Sequence, residues 1–146
     1  MPTVRRSRTF RATPEEIWAI VGDAHHLPRW WPRVTRVEGV EEDAFTQVLA
    51  TAKGVAVRAD FDVLESVAPR VRRWTQQLVN TPFERVLAES QVEVRLEPAG
   101  ETGTHVAIAL VQRVRGLAVL GSFMVRSAAR RQLDSALDGL GALVGR

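Results

Sequence analysis

The sequence predicts an α+β domain: a strongly bent, seven-stranded antiparallel sheet in the order β-α-α-β6-α, wrapped around one long C-terminal helix. Three observations predict it. A basic strand is followed at once by a helix start signal and a Trp- and Pro-rich segment. From Val34 to Val114 apolar residues recur with period two between short turn-forming separators. After Val114 the period changes to that of an amphipathic helix. The 146 residues suit a single domain spanning 1–146, because no repeat, low-complexity tract or long linker divides them.

Thr3–Phe10 reads as the first strand. Thr13–Val21 is the first helix: Thr13 can cap it, Pro14 fits its first position, and Glu16 can reach back to complete a capping box. Ile17, Ile20 and Val21 then share one face. Ala24–Trp31 reads as a short, broken helix that must end before Pro32, since a residue preceding proline is pushed out of the helical region. Strands are expected at Val34–Val40, Phe45–Ala52, Val55–Val67, Val71–Val79, Arg85–Leu96 and Thr104–Val114. Separators such as Lys53-Gly54 and Ala68-Pro69-Arg70 are short, which implies antiparallel neighbours. Leu117–Val144 is expected to be one helix, about 40 Å long at 1.5 Å per residue.

Alternation indicates which faces are buried. On the fourth strand Val55, Val57, Ala59, Phe61 and Val63 oppose Arg58, Asp60 and Asp62. On the sixth, Val86, Ala88, Ser90, Val92 and Val94 oppose Arg85, Glu89, Gln91, Glu93 and Arg95. On the seventh, Val106, Ile108, Leu110, Gln112 and Val114 share the inner side, and Trp74, Gln76 and Leu78 do so on the fifth. One apolar and one polar face mark a sheet covered on one side. The long helix is the cover, with Ala118, Gly121, Val125, Ala129, Leu133, Ala136, Leu140 and Leu143 inward and Arg130, Arg131, Asp134 and Asp138 outward. The first half of that inner face is poor in bulk. Small residues there fit either close helix–sheet contact or unfilled volume.

Composition narrows the chemistry. There is no cysteine, which excludes disulfides, thiolate zinc sites and cysteine nucleophiles. No apolar signal region opens the chain, and the run Leu117–Val125 is too short to cross a bilayer, so a cytoplasmic location without stable membrane insertion is expected. The net charge is +3, and Lys53 is the sole lysine. The arginine clusters Arg5, Arg6, Arg8, Arg11 and Arg70, Arg72, Arg73 are not interleaved with tyrosine, and no nucleic-acid partner is expected. There is no Gly-x-Ser-x-Gly or His-Glu-x-x-His motif, and no phosphate-cradling glycine loop, so neither metal nor cofactor is expected. By parity Asp60, Asp62, Glu89 and Glu93 face water, and no acid or base points inward from the central strands.

The residues Phe10, Ala12, Pro14, Glu16, Ile17, Trp18, Asp23, Trp31, Pro32 and Val34–Val40, with Gly103-Thr104-His105-Val106 and the ending Leu133–Leu140, resemble the START-related polyketide cyclase/dehydrase and lipid-transport superfamily. The resemblance spans nearly the whole chain and implies a helix-grip domain, like that of the birch-pollen-allergen proteins, enclosing a ligand cavity. The absence of tyrosine departs from it by removing a common polar aromatic of such pockets.

The expected cavity lining is Phe61, Trp74, Gln76, Ser90, Val92, Ile108, Leu110 and Gln112, uncharged throughout, with Gly121, Ala128 and Ala129 in the roof. His26, Trp30, Trp31, Leu120 and Phe123 are expected at the mouth. An apolar pocket with a few placed polar groups is typical of small-molecule sites. The expected function is binding of a small hydrophobic or aromatic ligand, lipid- or polyketide-like, between sheet and helix. Two alternatives remain at this point: a polyketide cyclase/dehydratase-type enzyme, and a chaperone-activator-like protein-interaction module. Leu120 and Phe123 project away from the buried face; such a patch most commonly packs under a neighbouring segment, here Trp30/Trp31, and the alternatives are a homodimer surface, a ligand gate or a transient membrane contact. Catalytic residues are not assigned.

Overall fold

A computed structural model describes residues 3–115 and 122–145, and in the second segment side chains from Val125 on. The order is β1 (Thr3–Phe10), α1 (Pro14–Val21), a 3-10 turn (Ala24–His26), α2 (Leu27–Trp30), β2 (Val34–Glu38), β3 (Ala44–Ala50), β4 (Ala56–Val67), β5 (Val71–Gln76), a second 3-10 turn (Pro82–Arg85), β6 (Leu87–Ala99), β7 (Gly103–Val114) and α3 (Ser122–Val144). The strands form one antiparallel sheet in the order β1-β7-β6-β5-β4-β3-β2. This is the helix-grip arrangement. The expected helix over Leu117–Val144 is present from Ser122; residues 117–121 lie outside the described residues.

The start of α1 follows from its sequence. Thr13 Oγ1 accepts from the Glu16 N–H at 3.2 Å, and the Thr13 N–H donates to Glu16 Oε1 at 3.4 Å. This reciprocal pair satisfies donors that no helix can satisfy internally. The buried Thr104 hydroxyl donates to Ala12 O at 2.6 Å, tying the entry of α1 to β7. Asp23 Oδ1 caps the next turn by accepting from the His25 N–H at 3.0 Å.

Strand ends depart from the expected ones where a turn competes. Arg85 and Val86 do not open a strand, because Thr81 accepts from the Phe83 N–H at 3.2 Å and Pro82 begins a 3-10 turn; Val86 is left exposed. Val55 likewise stays outside β4 and exposed. Register shifts at Val34/Arg36, Val63/Glu65 and Leu87/Glu89 bend the sheet around α3.

The core lies between the concave face and α3. Leu133, Ala136, Leu137 and Leu140 of α3 are buried against Phe10, Ile17, Val94, Val106 and Ile108. At the sheet edge Arg6 Nε and Arg8 Nη1 bridge to Asp134 at 2.9 Å and Asp138 at 2.7 Å. One expectation about the concave face is overturned. Arg72, with the same parity as Trp74 and opposite the fully buried Val94, points inward and is 6% exposed. It donates to Ser66 Oγ at 3.0 Å. Burial pushes its pKa down and the charge of Asp23 opposes that shift; an arginine stays protonated throughout. Arg72 therefore belongs to the interior and not to a surface arginine cluster.

Candidate functional site

The concave face does not meet α3 everywhere. Where β3–β7 curve away from the first half of the helix, a chamber of about 130 Å³ remains. Cross-strand register assembles its wall. Phe61 on β4 pairs with Gln76 on β5, Trp74 with Val92 on β6, Val92 with Leu110 on β7, and Ser90 with Gln112. Gln47 and Leu49 of β3 complete the sheet side. The α2–β2 turn contributes Trp31, Pro32 and Arg33, and among the described side chains of α3 Gln132 borders the chamber. Pro32, Arg33, Gln112 and Gln132 also border an open vestibule of about 470 Å³, which continues along Val125, Ala128, Ala129, Arg131 and Ser135 of α3.

Aromatic edges frame the chamber. Phe45 stacks on Phe61 at 5.3 Å, and Trp74 meets Phe45 edge-on at 6.1 Å and Trp31 at 5.8 Å. Such edge-to-face pairs fix ring orientation as well as burying area. The polar groups divide into two kinds. Gln112 Nε2 donates to Ser90 Oγ at 3.3 Å, so this pair is already engaged. Gln47 is 3% exposed and its Nε2 has no hydrogen-bond partner among the described residues.

Arg33 supplies the only charge that the described residues place on the chamber. Its φ of 69° lies in the left-handed region, which a residue with a β-carbon adopts only at a cost. The expectation of an uncharged lining is thereby corrected. No carboxylate or histidine borders the chamber among the described residues, and no group of three His, Asp or Glu side chains there is placed to hold a metal ion.

Of the residues named from sequence for the lining, Phe61, Trp74, Gln76, Ser90, Val92, Leu110 and Gln112 surround the chamber. Ile108 does not: it pairs with Val94 one step deeper, where both side chains are fully buried against α3. Ala128 and Ala129 border the vestibule and not the chamber, and Gly121 lies outside the described residues. At the mouth, Trp31 is in place. Trp30 is instead buried toward α3 and meets Trp31 edge-on at 5.3 Å. His26 sits beside Arg29 Nη1 at 3.1 Å and Asp23 at 3.9 Å, away from the lining. Leu120 lies outside the described residues, as does the side chain of Phe123.

Arg33, Gln47, Leu49, Pro32 and Gln132 were not named from sequence. Gln47 carried a usable signal, since Phe45, Gln47 and Leu49 alternate on one strand. Gln132 falls three residues after Ala129 and four before Ala136, on the inner helical face.

The model of the family described as polyketide cyclase / dehydrase and lipid transport matches residues 1–145. The chain belongs to this family. No curated protein matches it significantly in sequence. Among solved structures, a START superfamily protein from Mycobacterium smegmatis is 16% identical, with a TM-score of 0.78 over 97% of this chain and 96% of its own. A Thermus thermophilus protein is 23% identical, with a TM-score of 0.77 over 98% and 97%. The Zhui aromatase/cyclase of a Streptomyces is 16% identical, with a TM-score of 0.79 over 99% and 94%. At these identities the likeness to the solved structures is one of fold. No helix among the described residues is long and apolar enough to cross a membrane.

Proposed function

We propose that this protein binds a small, largely apolar molecule, aromatic or polyketide-like, with its apolar body in the chamber and a polar end toward Arg33 and Gln132. The observation that carries this reading is the chamber itself, about 130 Å³ left open between the concave sheet, the α2–β2 turn and α3. An apolar cavity of comparable size, about 150 Å³, accepts benzene in an engineered protein. One aromatic ring therefore fits, and anything longer extends into the vestibule. Burying about 200 Å² of ligand gains roughly 5 kcal/mol before ordering costs. That supports only about millimolar affinity. Tighter binding needs the polar groups or the vestibule.

A cyclase/dehydratase-type enzyme is the second reading. Its support is the guanidinium of Arg33 on the chamber, which can polarise a carbonyl, together with the fold likeness to an aromatase/cyclase. Against it, no described lining residue exchanges a proton near neutral pH.

Native mass spectrometry of freshly purified protein, before and after organic extraction, tests the binding reading. A mass excess removed by extraction and restored by adding single-ring aromatics supports it. Extracted protein that takes up no aromatic probe overturns it.

A further inference from the structure

Two arginines border the vestibule, Arg33 from the α2–β2 turn and Arg131 from α3, and no carboxylate borders it among the described residues. Helical spacing brings Arg131 there: Ala128, three residues before it, and Ser135, four after, share its face of α3. The carboxylates of that helix are committed at the sheet edge, where Asp134 and Asp138 bridge to Arg6 and Arg8 of β1. Arg36 and Arg58 share Glu38, Arg73 meets Glu65 and Arg95 meets Glu93, but neither Arg33 nor Arg131 forms an ion pair among the described residues. Arg131 Nη1 donates to Ser127 Oγ at 2.9 Å, which steadies the side chain and uses one of its several N–H groups. Arg33 holds its place with a φ of 69°, and backbone strain of this kind clusters where a site uses the residue.

Resting on the binding reading above, we infer that Arg33 and Arg131 together capture an oxyanion, and that the ligand is an apolar acid: a ring in the chamber, a short spacer, and a terminal carboxylate or phosphate in the vestibule. Arg33 and Gln132 border both spaces, whereas Arg131 and Ser135 border the vestibule alone. An anion carried directly on the ring therefore meets Arg33, and one carried on a spacer also meets Arg131. Guanidiniums suit this task, because their planar forks donate in pairs to carboxylate and phosphate oxygens and stay charged at every accessible pH. Two cations in one concavity, without acidic neighbours, also raise the local concentration of anions.

The test uses ω-phenylbutyrate and ω-phenylbutanol, which share ring and spacer and differ in the terminal charge, with ω-phenylbutyl phosphate as the second anion. Wild type should bind the tighter of the two anions at least about tenfold more strongly than the alcohol, and that anion identifies the oxyanion. Arg33→Gln and Arg131→Gln should each weaken anion binding about three- to tenfold. The double variant should bind acid and alcohol alike, and affinity for the alcohol should stay the same throughout. Benzoate, which has no spacer, should respond to Arg33→Gln and not to Arg131→Gln. Both side chains are exposed, so the variants should melt as wild type does. Arg130→Gln, the neighbouring position on α3 but outside the vestibule, removes the same charge and should change nothing. Equal affinity of wild type for anions and alcohol overturns the inference and leaves the binding reading intact. An equal loss of anion binding in Arg130→Gln assigns the preference to overall charge, and a loss in Arg33→Gln alone removes Arg131 from the site; either result overturns the inference. Binding of no probe by wild type overturns both readings.

Discussion

Gly139 of α3 lies directly against the main chain of Trp30: a β-carbon placed on it would stand 2.5 Å from Trp30 O and 2.8 Å from its Cα. The contact sets how closely the helix approaches α2, and hence where Trp31, Pro32 and Arg33 stand at the chamber. Neither partner can yield by a rotamer change, because the obstacle is backbone.

Gly139→Ala should therefore destabilise the fold although alanine favours helix. Overpacking costs about 1–3 kcal/mol, and the propensity gain returns about 1. With backbone as the obstacle the upper end of that cost applies, and denaturant unfolding should show a net loss of about 2 kcal/mol. A variant as stable as wild type would contradict the close approach.

Val92→Phe should fill the chamber. Val92 lies between Trp74 and Leu110 in register and is 5% exposed. Its added ring enters open volume, so the variant should stay within about 1 kcal/mol of wild-type stability. Uptake of single-ring probes should fall at least about tenfold. A folded Val92→Phe protein with undiminished uptake would place the ligand elsewhere, in the vestibule or on the surface.

Asp23 gives a pH signature with a definite sign. Burial pushes its carboxyl up, but hydrogen bonds from the backbone N–H and the ring of His25 outweigh this and hold it below the usual carboxylate value. A carboxyl whose pKa is lower in the folded state stabilises above its unfolded value, near 3.9, and loses that contribution as pH falls through the folded value. Asp23→Asn keeps an acceptor for the cap without the charge. Its deficit at neutral pH should be below about 1 kcal/mol, because the pair is largely solvated. The gap to wild type should narrow as pH falls below the ordinary carboxylate value, near 3.9, in parallel acid titrations. A gap independent of pH would show that the charge contributes nothing.

The sheet was legible because period two survives errors at strand ends: Ser90, Val92, Leu110 and Gln112 face inward although β6 starts later than its pattern suggested. The same rule reached Ile108, but parity gives the face and not the depth, and the chamber ends one rung before the Val94–Ile108 pair. Arg72 obeyed the parity of Trp74 against the usual preference of a charge for water. Only its three-dimensional setting, with the Ser66 hydroxyl as hydrogen-bond partner, makes that placement tolerable. Trp30 was drawn from the mouth into the core by a glycine 109 positions later, a pairing that no local pattern encodes. Arg33 needed a left-handed backbone after Pro32, and no composition rule points to arginine there.

That conformation makes Arg33 the position where stability and ligand capture should separate. A residue with a β-carbon in the left-handed region costs about 1–2 kcal/mol relative to its ordinary conformations. Glycine avoids that cost but gains about 1 kcal/mol of chain entropy in the unfolded state. Arg33→Gly should consequently fold at least as stably as wild type, whereas Arg33→Gln, which keeps the β-carbon, should match wild type closely. Both remove the guanidinium from the chamber wall. Both should bind benzoate about three- to tenfold more weakly, as expected for one partly solvated charge contact, with little change for benzaldehyde. Raising salt from 0.01 M to about 1 M shortens the screening length from about 30 Å to 3 Å, so benzoate binding by wild type should weaken with salt while that of both variants should not. Calorimetric titrations of the two probes at low and high salt measure all four quantities. An equal salt response in wild type and Arg33→Gly would show that the guanidinium does not reach the ligand, and the polar end of the bound molecule would then have to be sought at Gln132.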